Sequence, residues 1–319
     1  MAISLASLQT GVSASPPILC CFGDEGIGKS KFAANAPNPV FIFTENSLGN
    51  LDVPRWQAKS YEDVMEMTLS LLNEEHNFKT VVYDTLDWFE PMVWKYLTKQ
   101  QPTTEKGKPI SSIEDYGFGK GYKFALDYWQ DFLDLVDRLR IGKDMAVIFL
   151  AHSTLQKITP PDGDSYDSWT LKLQNSDKTS AKDKITEYCD AVFFANWRVA
   201  RAEEELGFGN SRQRGVGNGE RIVYTEKRPA WDAKNRYDLP AQIHIKDKDW
   251  QDLWGAMATH IPWFKQFETE PEPAKPEPAK KAVRVVEPVA EQPAPEEVEA
   301  DAAKEEAPKP KFLQKKDRL

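Results

Sequence analysis

Between Gly23 and Ser30 the chain reads Gly-Asp-Glu-Gly-Ile-Gly-Lys-Ser, which fits the phosphate-loop pattern GxxxxGKS in full. Phosphate binding is the chemistry this pattern supports. Glycines at 23, 26 and 28 let the backbone approach phosphate oxygens closely with amide N–H groups turned inward, and a helix beginning near Lys29 adds its positive end. The expected nucleotide-binding set is therefore Gly23, Asp24, Glu25, Gly26, Ile27, Gly28, Lys29, Ser30 and Lys31. Lys29 would neutralise the β and γ phosphates, and the Ser30 hydroxyl would ligate Mg²⁺. ATP and Mg²⁺ are the expected ligands.

Mg²⁺ is a hard cation that keeps carboxylate contacts, usually through water. Asp84 closes the apolar run Val81-Val-Tyr and is the expected partner, with Asp87 a neighbouring alternative past the strand end. An ordinary strand-terminal or capping aspartate is the competing reading of Asp84. Hydrolysis also needs a group that orients or deprotonates water. Glu45 follows Val40-Phe-Ile-Phe43 by two residues, which sets it at the carboxyl edge of a sheet, where ligands of open α/β folds bind. A solvated loop carboxylate is its alternative. His152 holds the corresponding place after Ala146–Ala151 and is expected to sense the γ phosphate or to be structural.

These residues need a sheet to bring them together, and the apolar runs supply one. Residues 17–22, 40–43, 80–83, 146–150 and 191–195 read as buried strands, and 29–35, 61–73, 86–97 and 122–139 as helices between them. Strand and helix alternation predicts an α/β fold: a mostly parallel sheet sandwiched by helices. The Gly- and Arg-rich stretch 198–237 breaks the rhythm and predicts a small antiparallel extension at the sheet edge. From about residue 266 the composition turns to Pro, Glu, Ala and Lys, which cannot bury enough apolar surface to offset ordering entropy. The expected organisation is an extension over 1–14, an ATPase domain over 15–265 and a disordered tail over 266–319.

The formal charge of −9 excludes a protein that coats nucleic acid by bulk basicity, so any such site must be a local patch. Three cysteines, with Cys20 and Cys21 adjacent and Cys189 alone, offer no zinc spacing, and neighbours on a strand point to opposite faces. No run reaches a membrane span and no leader pattern opens the chain, so a cytoplasmic protein without membrane contact is expected.

The order of phosphate loop, Glu45, Val81-Val-Tyr-Asp84-Thr85 and Leu150-Ala-His152-Ser153 resembles the RecA-like ATPase core, and no guanine-reading NKxD motif is present. Asp84-Thr-Leu-Asp-Trp-Phe-Glu90, Ser112–Tyr122 and Arg228–Arg236 are similar to phage-encoded AAA/RecA-like proteins, the Sak-type ATPases that assist single-strand annealing. The resemblance spans about residues 15–260 and implies action on single-stranded DNA in the cytoplasm of a host cell, with a single-strand-binding or annealing protein as partner. Lys234-Asn-Arg236 also resembles part of the KNRFG motif of RadA, although Tyr237-Asp238 follows here. By that resemblance Lys234 and Arg236 reach the γ phosphate of a neighbouring subunit in a homo-oligomer.

Two segments could line a DNA channel: 156–184, with Lys157, Lys172, Lys178, Lys182 and Lys184 among Tyr166 and Trp169, and 198–221, with Arg201, Arg212, Arg214 and Arg221. Solvated charged loops are the alternative. Two further functions compete with the DNA-dependent ATPase: a small-molecule kinase with an arginine-rich lid, and a non-hydrolysing adaptor that recruits a single-strand-binding protein.

Overall fold

The computed structural model describes residues 10–267 apart from 12–13, 46–50, 105, 206–210 and 247–248, with backbone only for 199–205 and 211–218. The expected tail beyond 267 and residues 1–9 of the expected extension lie outside the described residues.

The elements follow in the order β1 (Ile18–Gly23), α1 (Lys29–Ala34), β2 (Pro39–Phe43), β3 (Arg55–Gln57), α2 (Tyr61–Asn73), β4 (Thr80–Asp84), α3 (Leu86–Gln100) and α4 (Lys120–Lys143). Then come β5 (Ala146–Ile158), β6 (Tyr166–Leu171), β7 (Asn175–Ser176), β8 (Thr179–Ser180), α5 (Ala181–Tyr188), β9 (Ala191–Glu205), β10 (Ser211–Tyr224), β11 (Lys234–Asn235), β12 (Gln242–Ile245) and α6 (Gln251–His260). Parallel pairing runs β9-β1-β5-β4-β2-β3. β1, β2, β4 and the first halves of β5 and β9 are nearly continuous apolar runs, as strands covered on both faces are. Cys20, Phe22, Val81, Tyr83 and Phe149 turn toward α2, α3 and α4, whereas Cys21, Phe41, Val82, Ile148 and Leu150 turn toward α1 and α6. The pleat thus sends the adjacent cysteines into opposite core layers, and all three cysteines are free thiols.

The expected edge extension is present and long. β9 and β10 form an antiparallel hairpin with a register shift between Gly217 and Arg221, and β12 adds to β10. Two elements depart from the sequence expectation. β5 does not stop near Leu150: after His152 it continues to Ile158 and pairs antiparallel with β6. Its second half carries Leu155 and Ile158 among polar residues and is exposed or half-buried throughout, as in a solvated hairpin rather than a buried run. The other is α6, whose Trp250–Met257 segment seals the face above α1, with Trp254 donating its indole N–H to the Phe32 carbonyl at 3.0 Å.

Candidate functional site

Sheet register decides which residues meet. Gly23 lies opposite both His152 and Ala195, Phe43 opposite Asp84, and Asp84 opposite Leu150, so the ends of β1, β2, β4 and β5 form one carboxyl edge. β5 runs between β1 and β4, which sets His152 between the phosphate loop and Asp84. Gly23 is glycine for a reason the motif does not reveal: a Cβ there would sit 2.2 Å from the Ala195 carbonyl oxygen of β9, a backbone atom that cannot step aside. At Gly28 the cause is conformational, with φ at 103° in the left-handed region that disfavours side chains.

Within the loop, the Lys29 ammonium donates to the Gly23 and Asp24 carbonyls, each at 3.0 Å, and the residue is only 6% exposed. Burial lowers its pKa, opposed by the charges of Cys21, Asp84, Asp87 and Glu45. Ser30 Oγ donates to Asp84 Oδ2 at 2.6 Å. Burial raises the Asp84 carboxyl to about 6, partly countered by that hydroxyl bond and by Lys29, while Glu45 pushes in the same direction as burial. The other oxygen, Asp84 Oδ1, is buried without a hydrogen-bond partner. A desolvated carboxylate oxygen left open beside a serine hydroxyl is a donor set that fits a hard cation. Among the described residues no cluster of three His, Cys, Asp or Glu could hold a metal alone, so phosphate oxygens and water would have to complete the shell.

Glu25, Gly26, Gly28, Lys29, Ser30, Lys31, Glu45, Asp84, Thr85 and His152 line one cavity of about 590 Å³, together with Leu51 and Trp88. Gly23, Asp24 and Ile27 support it from behind. Asp24 accepts from Ser153 Oγ at 2.5 Å, and the Ile27 side chain is buried against α1 and α6. Thr44 ties β2 to β4: its Oγ1 donates to the Thr85 carbonyl at 2.6 Å and accepts from Thr85 N at 2.9 Å. That bracket holds the segment leading into Glu45.

Asp87 lies past the end of β4, as the sequence suggested, and there it opens α3 and grips His152. Its Oδ1 accepts the His152 backbone N–H at 3.0 Å, and its Oδ2 lies 2.8 Å from His152 Nδ1. Burial would raise its pKa, but the bonds from His152 outweigh that and the carboxyl stays low. The signal available in sequence was the carboxylate three positions past Asp84, which only strand order connects to His152.

Lys234 and Arg236 are not brought to this cavity within one chain. β11 pairs with Ala191 and Val192 at the start of β9, the amino edge of the sheet, opposite the phosphate loop. There the Lys234 ammonium caps α5 through the carbonyls of Thr186 and Glu187, at 2.9 and 2.8 Å, and Arg236 pairs with Asp190 at 3.3 Å. The expected DNA-lining set is also thinned. Arg221 lies over the rings of Trp197 and Trp250, at 5.4 and 5.9 Å. Trp169 stacks on Phe194, Lys182 pairs with Asp232 and Asp183, and Lys184 donates to Gln130. The side chains of Arg201, Arg212 and Arg214 lie outside the described residues.

No curated protein matches the chain in sequence. Among solved structures it is similar to a RadB recombinase at 10% identity and a TM-score of 0.41, covering 74% of this chain and 90% of that one. A family model described as an AAA domain matches residues 15–237. That span is more than half of the 319 residues and contains the phosphate loop, Glu45, Asp84 and His152, and the chain belongs to this AAA domain family.

Proposed function

We propose that this protein binds ATP with Mg²⁺, hydrolyses it, and couples turnover to single-stranded DNA in phage recombination or replication, the role of the Sak-type ATPases it resembles. The observation that carries the nucleotide part is the Ser30–Asp84 pair, with its open buried oxygen, on the loop that Lys29 crosses. Ser30 and Asp84 would hold Mg²⁺, which would supply charge stabilisation to the transferring phosphoryl group. Lys29 leaves its loop carbonyls for the β and γ phosphate oxygens. Glu45 orients the attacking water from the end of β2, and His152 meets the terminal phosphate.

The DNA part rests on the β5–β6 arm, which begins one residue after His152. It presents Lys157, Leu155 and Tyr166 to solvent, a cation for the phosphate backbone and, in Tyr166, an aromatic face on which a base stacks. Head-to-tail assembly, with the amino edge of one subunit on the carboxyl edge of the next, would carry Lys234 and Arg236 to a neighbour's phosphates. A single-strand-binding or annealing protein is the proposed partner.

Phosphate release from ATP, with and without single-stranded DNA, tests this. Wild-type turnover rises with DNA, and Lys29→Ala lowers it by about 100-fold or more. Transfer to a small acceptor without DNA dependence would favour a kinase, and binding without turnover an adaptor.

A further inference from the structure

Two facing features of the carboxyl edge have no part in cradling a phosphate: the double contact between Asp87 and His152, and the burial that encloses it. The Asp87 and His152 side chains are 4% and 13% exposed. Asp87 lies at the start of α3, straight after β4, while His152 belongs to β5, the neighbouring strand. The carboxylate takes both N–H groups that His152 can offer from its own side, the backbone amide and ring Nδ1. An ionised carboxylate only accepts, so the ring is held with its hydrogen on Nδ1. Nε2 is then the one remaining polar atom of a side chain that lines the nucleotide cavity.

We propose that Asp87 is the positioning residue of the site. It fixes the rotamer and proton placement of His152 so that Nε2 faces the terminal phosphate, and it balances the charge when the ring carries a hydrogen on both nitrogens and donates from Nε2. This rests on the ATPase reading above. The two-point grip also explains why the aspartate belongs on a helix: a loop carboxylate would have to order itself at each turnover, whereas the first turn of α3 is packed through Leu86 and Phe89 into the core. Carboxylate partners that orient metal-ligating histidines contribute about 10- to 100-fold when removed, which sets the scale here.

Asp87→Asn is the informative change, because it keeps the volume and one acceptor but turns an NH₂ group toward one of the two N–H groups of His152. In the full-length protein it should lower kcat about 10- to 100-fold while leaving the affinity for a non-hydrolysable ATP analogue and the unfolding midpoint as in wild type. On a His152→Gln background the same substitution should add no further loss, since Asp87 acts through the ring. Nitrogen-15 spectra of the histidine rings in mildly alkaline solution should show His152 with its hydrogen on Nδ1 in wild type and on Nε2 in Asp87→Asn. Multiplicative losses in the double variant, or an unchanged His152 ring signal, overturn the proposal. If wild type binds nucleotide but never turns it over, the ATPase reading fails, and the ring spectra still decide the positioning role.

Discussion

Glu90 carries a carboxyl into the core one helical turn after Asp87, at 4% exposure. One oxygen accepts the Gln174 backbone N–H at 2.9 Å, and the other, Oε1, has no partner. Burial pushes its pKa up to about 8, with the Gln174 bond lowering it and the charge of Asp87 raising it. The folded pKa lies above the ordinary value of 4.5, so the stabilisation from a neutral Glu90 is complete below that value and is lost as pH rises through about 8. Glu90→Gln is neutral throughout and can still accept from Gln174. It should match wild type in mild acid and exceed it by about 2–4 kcal/mol above the folded pKa. Urea midpoints for both proteins across this range check the sign; a gap that stays constant with pH would mean that Glu90 is not held neutral.

At the scale of elements, α6 closes the fold above the phosphate loop. Its Trp254 stacks on Phe32 of α1 at 5.2 Å, Trp250 tilts against the same ring at 5.6 Å, and the Trp254 indole N–H satisfies the Phe32 carbonyl. α1 is six residues long and could not hold its shape unaided, because short helices are marginal without packing. Trp254→Ala should therefore cost about 3–5 kcal/mol and weaken nucleotide binding by loosening the loop that α1 anchors. Calorimetric unfolding with and without ATP measures both effects. Equal losses in the two conditions would show that α6 supports the core without supporting the loop.

At the scale of the whole molecule, the nucleotide cavity and the Lys234–Arg236 turn occupy opposite edges of one sheet. Arg236 keeps 55% of its side chain exposed while touching Asp190. Such placement permits action on a nucleotide only across a subunit boundary. Arg236→Ala should then bind ATP like wild type yet turn it over about 1,000-fold more slowly. Mixing it with Lys29→Ala chains should restore part of the rate, because some interfaces then join an intact phosphate loop to an intact arginine. A mixture no more active than its parts would remove Arg236 from the reaction.

Much of the fold was legible in sequence because its buried strands announce themselves. Val40–Phe43, Val81–Tyr83 and Ala146–Leu150 are apolar on both faces, which only a sheet covered on both sides tolerates. The phosphate loop was legible for a related reason: its glycines, Lys29 and Ser30 are contiguous, so a linear pattern holds the whole device. Elements that balance two environments were not legible, such as the largely polar β5–β6 arm and β3, with Arg55 and Trp56 exposed and Gln57 half-buried. The grip of Asp87 on His152 was not legible either, since 65 residues separate them and strand order alone brings them together. Resemblance paired Lys234 and Arg236 with the γ phosphate of a neighbouring subunit, but only the antiparallel seat of β11 on β9 shows them at the far edge from their own chain's phosphate loop. Local chemistry is written in adjacent residues, but distances across a sheet are set by the register of its strands.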